Sequence, residues 1–246
     1  MKSNKKITEE QLFEYIKCPT LYDTKFNKKI NAQTKPTLSK SLMELTNAFL
    51  LHLSNGRVLA MGELKRKWDM ICKKDSINEV RCLEGLQQIA NFYKWAEAKQ
   101  LRILDIKTPY ALTVKGPHGT TEITGEIECI AVTPDNKYEL LYIDYGNRQP
   151  DQPYLDRKLK YSLDALAFKH MYGEDIYIHI HYVKGNSEYY SYRNRTDFER
   201  LISTIDSISE CIQHELYYPR ENVFCTSCSI KQVCRAWSLV KAGDKY

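Results

Sequence analysis

The chain has no apolar run approaching the ~18 residues that a membrane helix needs, which points to a soluble protein without a membrane partner. It has no glycine-rich phosphate loop, so any helicase or ATPase working with it would be a separate chain. Internal repeats and low-complexity tracts are absent, which excludes solenoid arrays. Eight cysteines in 246 residues is too few for a disulfide-dense scaffold, and no signal-peptide pattern precedes them. Free thiols, abundant lysine and the missing leader point to a reducing, cytoplasmic setting. Charge is only mildly one-sided: the formal net charge is +5 and the pI about 8.6. That permits a nucleic-acid partner without demanding one.

What the chain does have is a cysteine cluster near its end. The stretch from Asn222 to Trp237 reads NVFCTSCSIKQVCRAW, a C-x2-C-x5-C run of Cys225, Cys228 and Cys234, and it also holds Lys231 and Arg235. A fourth cysteine, Cys18, stands at the other end in YIKCPTLYD. Thiolates are soft ligands suited to zinc or to iron–sulfur clusters. Zinc ribbons usually use two matched C-x2-C pairs. Only one such pair exists here, so a four-thiolate cluster completed by Cys18 is favoured over zinc, and both over ordinary buried thiols. Cys72, Cys82, Cys129 and Cys211 lack ligand spacing and read as core.

Taken in order, residues 1–6 read as a basic, frayed start. Thr8 caps a helix with Glu9 and Glu10 in its first turn, and Pro19 ends it. Residues 27–37 read as a loop. Helical periodicity follows over 38–52, 61–73 and 76–99. Near Arg102 the pattern changes to β-branched alternation, giving strands over 103–116, 120–133 and 138–146 joined by turns, an antiparallel meander. A helix over 154–173, a strand over 175–185 and its hairpin partner come next. Thr196 caps a last helix to about His214. The order implies an α/β architecture, one sheet with helices packed against it. Three segments result: 1–100, a helical region acting as a cap; 101–216, the α/β core; and 217–246, the cysteine segment.

The carboxylates worth attention lie on the meander. Glu126 and Glu128 share one strand face, because side chains alternate with period two. Asp144 ends the next strand after the apolar run LLYI. A carboxylate at the end of a buried strand needs a partner or a metal. Glu128 and Asp144 on neighbouring strands can hold Mg²⁺ or Mn²⁺, hard cations that favour carboxylate oxygens. Arg148, Arg157, Lys158 and Lys160 form a basic edge that suits phosphates or simply faces solvent. His179 and His181 alternate on one strand face without acids nearby in sequence and read as sheet residues.

These residues together resemble the RecB-type PD-(D/E)XK nucleases that carry an iron–sulfur cluster, such as the CRISPR adaptation nucleases and the exonuclease V group. The resemblance rests on Cys18-Pro19 near the start and the C-x2-C-x5-C close. Between them it rests on Glu44 in an early helix, Gly125-Glu126-Ile127-Glu128, Ile143-Asp144-Tyr145, and the helix segment Lys160 to Ala165. It implies a restriction-endonuclease-like mixed sheet flanked by helices, with a [4Fe–4S] cluster stapling the chain ends. It further implies a metal-dependent deoxyribonuclease acting on DNA ends or single strands, alone or within a larger DNA-processing complex. In that reading Glu128 and Asp144 bind Mg²⁺ or Mn²⁺, Glu44 assists, and Arg148, Arg157 and Lys158 contact DNA. The sequence departs from the family pattern at the third motif, where Gly146 stands in place of the lysine. Two expectations follow: Lys160 (or Lys158) substitutes for it, or the chain is a non-catalytic DNA-binding or assembly subunit. A zinc-stapled RNA-binding protein is a third class.

Overall fold

The computed structural model describes residues 4–30, 37–234 and 236. Residues 1–3 of the predicted start, most of the 27–37 loop, Arg235 and Trp237 lie outside them. Six strands pair in the order β1-β3-β4-β5-β6, with β2 also on β3. The chain forms two compact units, each built from separated segments. Unit 1 takes residues 1–34, 111–125 and 199–246; unit 2 takes 35–110 and 126–198. The helical region read as 1–100 thus supplies residues to both.

Unit 1 begins with β1 (Asn4–Thr8), which runs parallel to β3 (Gly119–Val132) from Asn4 opposite Thr120 to Thr8 opposite Thr124. The expected frayed start is therefore a strand. Its lysines mask a period-two pattern: Ile7 is buried, and Lys5 is neutralised by Glu210 at 2.5 Å. Thr8 caps α1 (Glu9–Lys17) in a reciprocal capping box with Gln11. Pro19 follows the end of α1 as expected, after an extended Cys18 at the C-cap. It opens α2 (Pro19–Tyr22), as a first-turn proline can because its missing N–H has no partner there, and a π turn follows over Asp23–Asn27. The end of α1 is laced to residues 216–222. Tyr15 donates to the Leu216 carbonyl at 2.6 Å, Arg220 to Ile16 at 2.7 Å, and Asn222 to Lys17 at 2.8 Å.

Unit 2 holds α3 (Leu38–Ser54), α4 (Met61–Lys74) and α5 (Glu79–Ala98). Leu42, Leu45, Phe49, Trp68, Phe92 and Trp95 from these helices pack on Leu141 and Ile143 of β4 (Tyr138–Asp144). Cys72 and Cys82, read from sequence as independent core thiols, instead form a disulfide across the α4–α5 hairpin. Such bonds are uncommon in a reducing cytosol. β2 (Arg102–Gly116) and β3 form the expected hairpin, and β4 is antiparallel to β3. β5 (Tyr177–Tyr182) then lies parallel to β4, and β6 (Ser187–Tyr192) antiparallel to β5. The crossover from β4 to β5 is not one helix but two, α6 (Gln152–Arg157) and α7 (Leu159–Tyr172). They are separated by Lys158, whose backbone is extended. α8 (Arg195–Gln213) is capped by Asn194, whose side chain accepts from Asp197 N at 3.1 Å, rather than by Thr196. Among the described residues no helix is long and apolar enough to cross a membrane.

Candidate active site and cysteine pocket

β3 and β4 pair over Ile130–Val132 with Tyr138–Leu140, and Glu128 and Asp144 lie beyond that ladder. There an open cleft is lined by Glu128, Tyr142, Asp144, Tyr154, Lys158, Lys160 and Tyr161, with Met43, Ile143 and Leu155. The crossover begins just after Asp144, so both α6 and α7 return their side chains to the end of β4. The Asp144 carboxylate is turned back on its own loop, accepting from the Gly146 N–H at 2.7 Å. A Cβ at position 146 would stand 2.9 Å from Asp144 Oδ1, so a glycine is what this turn accommodates.

The two cleft lysines differ. Lys160 Nζ donates to the Glu126 carbonyl at 3.1 Å and to Asp164 Oδ1 at 2.8 Å. Asp164 is wholly buried and also accepts from the Tyr142 hydroxyl. Lys158 lies over the Tyr161 ring at 4.3 Å and donates to its hydroxyl at 3.1 Å. Burial lowers the Lys158 pKa, against the pull of Asp144 and Glu128. Burial raises the Tyr142 and Tyr161 hydroxyls; the next cause is the Asp164 charge for Tyr142 and the Asp144 charge for Tyr161.

Glu44 is not brought to the cleft. It sits on the exposed face of α3, 3.4 Å from Lys74, while its neighbour Met43 lines the cleft. One residue turns a helix by about 100°, enough to put adjacent side chains on different faces. What α3 contributes to the end of β4 is a pair of hydroxyls. Ser39 donates to the Tyr145 carbonyl at 3.1 Å, and Thr46 bonds the Tyr145 hydroxyl. Arg148 and Arg157 are exposed outside the cleft lining, and Arg157 donates to the Pro153 carbonyl at 2.9 Å. Sequence reading missed Tyr142, Tyr161 and Asp164. Only Asp164 left a trace, its i+4 spacing from Lys160.

In unit 1, Cys18, Cys225, Cys228 and Cys234 line one pocket together with Lys17, Leu21, Phe224 and Ile230. All four are free thiols. A 3₁₀ turn over Val223–Ser227 carries the first of the three C-terminal cysteines. Among the described residues no three His, Cys, Asp or Glu side chains converge closely enough to chelate a single ion. His179, read as lacking acids, has two in the fold, whereas the buried ring nitrogens of His181 have no hydrogen-bond partner among the described residues. His179 Nδ1 lies 2.8 Å from Glu139 and Nε2 3.2 Å from Glu188.

No family model matches the sequence, and no curated protein matches it either. Solved structures do. A crystal structure from Eubacterium rectale, designated "Putative exonuclease", superposes with a TM-score of 0.56 at 7% identity, covering 98% of this chain and 90% of that one. The SSO0001 crystal structure matches at a TM-score of 0.47 and 10% identity, covering 96% and 88%, and adds no weight. The six-stranded mixed sheet flanked by helices is a restriction-endonuclease-like fold.

Proposed function

We propose that the chain is a nuclease that hydrolyses DNA phosphodiesters with a divalent cation bound by Glu128 and Asp144. The observation that carries this reading is the meeting of two carboxylates and two lysines in one open cleft at the end of β4. The fold likeness to the protein designated "Putative exonuclease" supports it. The residues fit Mg²⁺ or Mn²⁺: Mg²⁺ is commonly held by only one or two carboxylates, with substrate phosphate and water filling the other positions, so the lack of a third protein ligand is no obstacle. A bound cation supplies Lewis acidity toward the phosphodiester. The chain's own groups do the rest. Asp144 is oriented by the Gly146 N–H. Lys158 offers a partly desolvated ammonium to the charge that grows on phosphate oxygens. Tyr161 holds that ammonium in place. Lys160, to which the sequence assigned the substituting role, is engaged by Asp164 and the Glu126 carbonyl. Lys158 is therefore the better candidate, and Lys160 braces the wall of the cleft.

The four cysteines fit an iron–sulfur cluster better than a lone zinc ion, because only one C-x2-C pair is present where zinc ribbons usually use two. Bound there, a [4Fe–4S] cluster would clip the α1 end to the C-terminal segment, a long-loop closure that stabilises the fold. The engagement of Lys160 favours one second reading, a non-catalytic DNA-binding or assembly subunit working with a separate helicase in the cytoplasm. The deciding experiment is a cleavage assay on anaerobically purified protein. It uses single-stranded and blunt duplex DNA with Mn²⁺ or Mg²⁺, beside Asp144→Ala. Cleavage lost in the variant establishes the nuclease; no cleavage with measurable DNA binding establishes the subunit.

A further inference from the structure

Lys158 stands where local preference would not put it. It is the N-cap of α7 and makes no side-chain capping bond there, although short polar side chains are the ones that serve a helix start. It also places a cation at a helix N-terminus, which the helix dipole disfavours. The break in which it sits leaves the last carbonyls of α6 without helical partners. The junction is therefore held from outside the two helices. Within it, the Lys158 N–H donates to the Leu155 carbonyl at 3.3 Å, and the Lys158 carbonyl accepts from the Tyr161 and Ser162 N–H groups at 3.1 and 3.4 Å.

Arg193, the residue after β6, grips this frame on both sides of the break. Its Nη2 donates to the same Leu155 carbonyl at 2.8 Å, and its Nε to the Ser162 hydroxyl at 2.9 Å. Its Nη1 donates to the Ser191 hydroxyl at 2.6 Å, and Ser191 in turn donates to Asp156 of α6 at 2.6 Å. Arg193 is buried. Taking a guanidinium out of water is costly unless its donors are matched, and an apolar side chain could fill the same space. What the planar fork adds is fixed donor directions, which set the positions of the groups it joins. We propose that Arg193 is the positioning residue for Lys158: it clamps α6 to α7 from the end of β6 and so fixes where the ammonium stands in the cleft.

Arg193 is not among the described residues that line the cleft, so it acts through Lys158. A lysine at this position has one nitrogen on a flexible stem and cannot serve Leu155, Ser162 and Ser191 with the same spacing. The hold on Lys158 stands on this geometry; its consequence for cleavage rests on the nuclease reading above.

The test compares the full chain with Arg193→Lys, Lys158→Ala and the double variant in steady-state DNA cleavage with Mn²⁺. Arg193→Lys should lower kcat about 10- to 100-fold, the scale of a small misplacement caused from a distance, with KM held within about twofold. The double variant should be no slower than Lys158→Ala alone, because the clamp works only through that ammonium. Losses that multiply overturn the proposal and leave Arg193 a general support of the fold. A second readout needs no activity. Lys158 Nζ lies 4.3 Å from the Tyr161 ring centroid, so the ring shifts the NMR signal of that side chain in a chain carrying isotope-labelled lysine. The signal is identified by its loss in Lys158→Arg. In Arg193→Lys it should move toward the solvent-exposed lysines, and an unmoved signal overturns the proposal. Ser162→Ala removes one acceptor and keeps the guanidinium. It should move the signal the same way by less, and it replaces Arg193→Lys in both measurements if circular dichroism shows that variant unfolded. Absence of cleavage by the unmodified chain overturns the nuclease reading, and the NMR signal then judges the clamp by itself.

Discussion

Lys160 and Asp164 form an ion pair of 2.8 Å one turn apart on α7, and the carboxylate has no solvent exposure. The same carboxylate takes the Tyr142 hydroxyl from the neighbouring strand, so one buried acid ties helix to sheet behind the cleft. Removing it strands a cation and a hydroxyl. Asp164→Ala should lower unfolding free energy by about 3 kcal/mol, read from urea midpoints. Asp164→Asn, which keeps an acceptor for Tyr142, should lose less. Equal losses would mean that the lost ion pair with Lys160 accounts for the whole effect and the Tyr142 hydrogen bond adds nothing.

The two cleft lysines should separate in kinetics. If Lys158 supplies the ammonium at the phosphate, Lys158→Ala should cut kcat by about 100-fold or more, the usual scale for a lost electrostatic stabiliser. Lys158→Arg should restore part of it. Lys160→Ala should act mainly on stability. The reverse order would return the role to Lys160.

Gly146→Ala tests the Asp144 turn. The added Cβ would meet Asp144 Oδ1 at 2.9 Å, tighter than ordinary contact, and the carboxylate must rotate away. Divalent-metal affinity, measured by calorimetry, should fall while the melting temperature shifts by only a few degrees. Unaltered metal binding would show that Asp144 is not a ligand.

Acid should weaken the fold through His181. Burial is the first cause that lowers its pKa, from 6.5 to about 4; Glu188 pulls the other way, while His179 and Lys99 reinforce the shift. The unfolded chain therefore takes up this proton first as pH falls. Stability is full above about pH 6.5 and drains between 6.5 and 4, by at most about 3 kcal/mol. Glu188 enters only at lower pH. Burial disfavours its charge, but hydrogen bonds from Lys99, Tyr190 and Trp95 prevail and hold it at about 2. That contribution is present above pH 4.5 and is lost as pH falls toward 2. Denaturant midpoints at pH 7.5 and 4.5 measure the first effect, and His181→Phe should flatten it while keeping the Trp95 stack.

Cys18→Ser tests the cysteine pocket. Loss of iron and sulfide, together with a lower melting temperature, is expected for a cluster that clips the chain ends. Zinc recovered from the unmodified protein in place of iron would overturn the cluster reading.

Most strands and helices were legible because their signals are local. Alternation over ILDIKTPYALTVKG, the Thr8 cap and the 3.6-residue stripe of α3 each need only neighbouring residues. The apolar run LLYI ahead of Asp144 likewise marks the strand that carries it to the cleft. β1 escaped because its lysines hid a single buried isoleucine, and its parallel partner lies more than a hundred residues away. The break at Lys158 carries no glycine or proline to announce it.

Residue types and their spacings, set by sequence alone, determined the mixed α/β layering, the acids at the sheet end and the cysteines available for a ligand set. Which of them meet was decided only by tertiary structure. The crossover brings Lys158 over Tyr161 and Lys160 onto Asp164. The helical turn sends Glu44 to solvent. The parallel register of β4 and β5 delivers Glu139 to His179. The physical reason is the same in each case: a side chain's charge and reach are local properties, but its partner is chosen by how separated segments pack.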